Sequence, residues 1–151
     1  MGGQIGLQRG LLALGLKQGV LCLQHVELGA QPVAIARLRQ PETLARGLQR
    51  LALLTGLRHG ERLAGIAGLS GYLPLAAATA TERSEANRDV PLFLAHGTQD
   101  PVVMHSRGTA SRDALAALGY AIEWHEYPMP HSVCAEEVGD LNRWLLKVLA
   151  D

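Results

Sequence analysis

Two short apolar runs, Ala64 to Ser70 (AGIAGLS) and Val90 to Ala95 (VPLFLA), constrain this chain more than any other feature. Runs of that length without polar alternation are buried on both faces, as strands of a parallel sheet are when helices cover each side. The first is bounded by Arg62 and by the turn formers Gly71 and Pro74. The second is entered from the polar stretch Thr81 to Asp89, read as a loop, and is left at His96-Gly97. Beyond it, Ser106 to Leu118 carries Ala110, Ala114, Leu115 and Leu118 at helical spacing and stops at Gly119, a natural C-terminal cap. Ala121 to Tyr127 alternates and is rich in β-formers, which predicts a third strand. Ala135 to Leu149 lines up Val138, Leu141, Trp144, Leu145, Val148 and Leu149 on one face of a strongly amphipathic closing helix. A shorter helix is expected from about Thr43 to Leu57, after Pro41. Strands alternating with helices in this order predict an α/β architecture with a mostly parallel sheet.

The first fifty residues have a different character. The chain has no serine before Ser70, no aspartate before Asp89 and no aromatic before Tyr72. Met1 to Arg50 carries a charge of +4 and the remainder −4, so the chain as a whole is neutral. Glycines at 6, 10, 15, 19 and 29 break its periodicity, and helical turns around Leu11 to Leu23 are the most it predicts. The chain therefore divides into an atypical segment, 1–50, and a partial α/β domain, 51–151. The first segment is expected to be a shifted reading frame or an unrelated upstream piece, poorly ordered. It should bury little, leaving apolar surface of Ala64 to Ser70 open and favouring self-association.

Zero formal charge gives no field to attract nucleic acid or an anionic membrane, so no nucleic-acid partner is expected. The apolar stretch Ile5 to Leu23 is interrupted by Gln8, Arg9, Lys17, Gln18 and several glycines, and no membrane span is expected. Nor does it have the layout of a secretory signal. Cys22 and Cys134 lie far apart, outside any metal or disulfide pattern, which points to a reducing, cytoplasmic setting. His25, His59, His96, His105 and His125 show no metal-ligand spacing and read as solvated or core residues, so neither a metal nor another cofactor is called for.

In sheets of this type function gathers where the strands end. Two polar loops occupy such places: His96 to Val103 (HGTQDPVV) and Pro128 to Val133 (PMPHSV). The first offers Asp100 and the second His131. An acid after one strand and a histidine after the next is the order of a hydrolase triad, in which the carboxylate holds one imidazole nitrogen while the other takes the nucleophile's proton. Taken alone, Asp100 also suits a turn cap before Pro101, and His131 a surface position. Ser132 reads as a cap for the closing helix and Cys134 as buried packing. Ser70, in Gly68-Leu69-Ser70-Gly71-Tyr72, resembles a nucleophile elbow without its last glycine; it reads first as a structural serine at a strand end and second as a nucleophile.

GLSGYLPL (Gly68 to Leu75), AHGTQDPVV (Ala95 to Val103), ASRDALAALGY (Ala110 to Tyr120) and EWHEYPMPHSVCAEE (Glu123 to Glu137) together resemble the carboxylesterase/acyl-protein thioesterase family of α/β hydrolases, from about Leu51 onward. The resemblance implies the C-terminal part of an α/β-hydrolase fold, with Asp100 as triad acid and His131 as triad base. It implies a small ester or thioester substrate and no cofactor. Members of that family carry a G-F-S-Q-G-G elbow ahead of the helix ending near Arg58. Here the corresponding stretch, Leu44 to Leu51, holds no serine, and no H-G-L-G oxyanion loop precedes it. The expected function is that of a carboxylesterase-family serine hydrolase without its nucleophile, inactive as this chain; the alternative is a non-catalytic pseudoenzyme or binding module.

Overall fold

The computed structural model describes residues 10–16, 19–26 and 51–150. In chain order these form β1 (Gly10–Leu16), β2 (Gly19–Val26), α1 (Leu51–Arg58), β3 (Gly65–Leu69), α2 (Ala76–Glu82), a 3-10 turn (Glu85–Asn87), β4 (Leu92–Gly97), α3 (His105–Ala117), β5 (Ile122–Tyr127) and α4 (Ala135–Val148). The strands make one sheet in the order β2-β1-β3-β4-β5. β1, β3, β4 and β5 run parallel, and β2 pairs antiparallel with β1 at one edge. Leu69 lies opposite Ala95, and Gly97 opposite Tyr127, so β3, β4 and β5 end side by side.

The period-two alternation of a strand divides the core between the two faces of the sheet. Ile66, Leu92 and Leu94 point to one face and pack with Leu53 and Leu57 of α1 and Leu115 of α3. Ala67, Leu69, Phe93 and Ala95 point to the other, where Trp144 of α4 closes over them. Each of these side chains is 4% exposed or less, which is why the two runs carry no polar residue before Ser70. The predicted strand Val90 to Ala95 begins two residues late, at Leu92, because Pro91 has no N–H to give to a ladder. Gly119 takes φ 86, the left-handed conformation that ends α3.

Three expectations are corrected. The segment expected to form helical turns, Leu11 to Leu23, is instead part of two strands, with β1 hydrogen-bonded along β3 and β2 along β1. Pairing with the side of β3 away from β4 satisfies backbone donors and acceptors that local propensity does not register. The same pairing overturns the open surface expected on Ala64 to Ser70, since β3 lies between β1 and β4 with Ile66 and Ala67 fully buried. The stretch read as a loop, Thr81 to Asp89, contains the end of α2 and the 3-10 turn. Its Asn87 is fully buried, accepting from the Leu63 amide at 2.8 Å and donating to the carbonyls of His59 and Glu61. The helix expected from Thr43 is described from Leu51 to Arg58; its earlier part, like most of the segment expected to be poorly ordered, lies outside the described residues.

Candidate active site

The two loops singled out in the sequence meet beyond the ends of β4 and β5. Gly97 makes that approach possible: a Cβ there would stand 2.3 Å from the Met129 carbonyl oxygen and 2.6 Å from that of Pro130. With no side chain in the way, Thr98 donates its amide to the Tyr127 carbonyl at 2.9 Å and Gln99 donates to Met129 at 3.2 Å. The Asp100 loop and the His131 loop are thereby laced together before any charged side chain is considered.

Asp100 Oδ2 accepts from His131 Nδ1 at 2.6 Å. Its other oxygen, Oδ1, accepts from the amides of Val102 at 2.8 Å and Val103 at 2.9 Å. The Asp100 side chain is fully sealed from solvent, whereas His131 keeps 16% exposure. Burial alone would raise the Asp100 pKa. The hydrogen bond from His131 and those from Val103 and Val102 outweigh it, and the carboxyl is held below its ordinary range. A buried carboxylate only accepts, so the His131 Nδ1 that meets it carries a hydrogen, and the ring is held with its Nε2 edge turned away from Asp100.

Ser70 lies at the end of β3 with φ 51, a left-handed conformation costly for a residue with a Cβ. A strained strand-end turn is also how an elbow presents its serine. Ser70 is 0% exposed, and among the described residues its Oγ has no hydrogen-bond partner, His131 included. Ser132 does not cap α4. The cap is Cys134, whose Sγ accepts from the Glu137 amide at 3.5 Å while its side chain packs beside Trp144. The Pro130-His131-Ser132 turn is closed by its own backbone, Ser132 N to Pro130 O at 2.7 Å, which places Ser132 ahead of the helix.

His96, read in the sequence as a core or solvated histidine, is buried beside the pair, with Nε2 3.7 Å from Asp100 Oδ2. His-Gly at the end of a strand signals only a turn, and nothing in the spacing marks that imidazole as a neighbour of the acid. His105 pairs with Glu126 at 2.9 Å, and His125 with Glu123 at 3.1 Å and Asp140 at 3.5 Å. Tyr127 donates to Asp140 at 2.7 Å; burial and that acceptor push its phenol well up, and the same bond draws Asp140 down. Among the described residues no three acidic, histidine or cysteine side chains stand together as metal ligands, and no helix is long and apolar enough to cross a membrane.

Known proteins are similar to this chain over the residues that form these loops. The sequence model of the Phospholipase/Carboxylesterase family matches residues 49–149. Acyl-protein thioesterase 1 of Mycosarcoma maydis is 43% identical over 104 residues, which are 66% of this chain and 43% of that protein. Acyl-protein thioesterase 1 of Neurospora crassa is 40% identical over 102 residues, covering 66% and 42%. Among solved structures, Arabidopsis thaliana SOBER1 superposes with a TM-score of 0.63 at 27% identity, over 67% of this chain and 49% of that one. Zea mays acyl-protein thioesterase 2 gives 0.54 at 33% identity, over 58% and 42%. The chain thus spans less than half the length of these relatives. Through its matched residues, its parallel sheet and these neighbours, the chain belongs to the phospholipase/carboxylesterase family and has an α/β-hydrolase fold.

Proposed function

We propose that residues 51–151 are the acid-base half of a carboxylic ester or thioester hydrolase, with Asp100 as the orienting acid and His131 as the base, joined to an atypical segment, 1–50. The observation that carries this reading is the 2.6 Å contact between Asp100 Oδ2 and His131 Nδ1, made by a sealed carboxylate. In a complete reaction the base takes a serine proton as the oxygen attacks the acyl carbon, then returns it to the leaving alcohol or thiol. Water repeats the cycle to release the acid. No serine precedes Ser70 in the sequence, and Ser70 is sealed, so among the described residues this reading gives the base no serine nucleophile at a family-like elbow. The chain by itself is proposed to be inactive.

That same sealing favours a second reading, a non-catalytic module that binds an acyl ligand or a partner. Val102, Met104 and Val133, all more than half exposed, flank the two loops, and with Leu75, Val138 and Leu146 they supply apolar surface for such contacts or for self-association.

Hydrolysis of p-nitrophenyl esters tests the first reading. The purified chain should release p-nitrophenol no faster than its His131→Ala variant. Saturable turnover that His131→Ala abolishes would overturn the inactivity. Saturable binding of an acyl ligand without turnover would support the second reading.

A further inference from the structure

The acid loop is gripped from behind by His96, the second-last residue of β4 and 1% exposed. Its Nε2 lies 2.9 Å from the Val103 carbonyl oxygen. A carbonyl only accepts, so Nε2 carries a hydrogen and donates it. The amide of the same Val103 donates to Asp100 Oδ1. Val103 is therefore held on both sides, by the acid through its N–H and by His96 through its C=O, and the turn that shapes the carboxylate is closed. At 3.7 Å from Asp100 Oδ2 the same N–H is too far for a hydrogen bond, yet it faces the oxygen that holds His131.

Helix α3 is shaped to house this ring. A Cβ at Gly108 would stand 2.4 Å from His96 Nδ1 and 3.0 Å from Cε1. Glycine in a helix interior is unfavourable relative to alanine, and α3 accepts it where the imidazole packs. On its outer side the ring meets His105 edge-on, centroids 5.7 Å apart, and His105 is itself tied to Glu126. A side chain that merely filled core space would need neither the absent Cβ nor the carbonyl acceptor.

We propose that His96 is a positioning residue of the Asp100–His131 pair, acting through Val103 to hold the carboxylate on Nδ1. This rests on reading Asp100 and His131 as acid and base. The test is the imidazole N–H proton spectrum of the full chain, where a proton in a short bond to a buried carboxylate resonates far downfield and exchanges slowly with water. The wild-type chain should show one such signal, assigned to His131 Nδ1 by its absence from His131→Gln. His96→Leu should lose it into exchange while the backbone amide spectrum stays folded, and His96→Gln, whose amide keeps a donor for Val103, should retain it. An unchanged signal in folded His96→Leu overturns the positioning role and leaves the pair intact. Absence of the signal from the wild-type chain overturns the pair, and the positioning role with it. Should His96→Leu not fold, Gly108→Ala carries the same test by driving a Cβ into the ring: loss of the signal supports the proposal and retention overturns it.

Discussion

The Asp100 carboxylate uses both oxygens, Oδ1 on two amides and Oδ2 on His131, and the consequence is measurable at the level of one residue. Its folded pKa lies below the ordinary value of 3.8. A depressed carboxyl contributes stability that is fully present above the unfolded pKa and is lost as pH falls through the folded one. Acid denaturation of the wild-type chain should therefore include an Asp100 contribution that fades only below about pH 4, and Asp100→Asn should lack it. At neutral pH that variant keeps an acceptor for the amides but sets an N–H against His131. It should be about 1–3 kcal/mol less stable, read as a lower denaturant midpoint with an unchanged slope. Asp100 and His131 stand out in the sequence through the order of acid and histidine in loops after successive strands, and their roles through the resemblance carried by AHGTQDPVV and EWHEYPMPHSVCAEE. His96 does not, because its partner is the Val103 carbonyl, and backbone acceptors leave no trace in side-chain identity.

Among the elements, α4 shows how the base loop is anchored. It starts four residues after His131 with Cys134 as its cap and carries Glu136 and Glu137 in its first turn, where the helix dipole favours acids. Its apolar face is legible as a stripe, and Trp144 is the part that closes the core, 3% exposed with its ring 5.6 Å from that of Phe93. Trp144→Ala should cost about 3–5 kcal/mol, and His131 should become more mobile before the strands do, which NMR relaxation of the 128–135 backbone would show. An equally rigid base loop in that variant would mean that Cys134 and the Gly97 contacts hold it without the helix. The Ala-rich α2 was less legible, since AAATATE has no apolar periodicity and lies beside the polar stretch ending in Asn87. Nothing local distinguishes β1 and β2 from broken helix; their glycine-rich segments become strands by pairing, β1 along β3 and β2 along β1.

For the whole molecule, the sheet order predicts a gradient of protection. β3 and β4 have a strand on each side, and the side chains of Ile66, Leu92 and Phe93 are fully buried. Their amides should exchange only on global opening, whereas β2, paired on one side alone, should exchange through local opening. Hydrogen exchange followed by mass spectrometry checks this, and protection of Gly19–Val26 equal to that of Leu92–Gly97 would contradict it. The proposed chemistry is an oriented acid and base, Asp100 and His131, with no usable nucleophile among the described residues. Its most direct measurement is the intact mass after exposure to a fluorophosphonate, which bonds covalently to an activated serine. The unchanged mass of the unlabelled chain is predicted, because Ser70 Oγ is sealed and unpaired with His131. A stoichiometric adduct mapped to Ser70 and abolished by His131→Ala would contradict the account and make that strained serine the nucleophile.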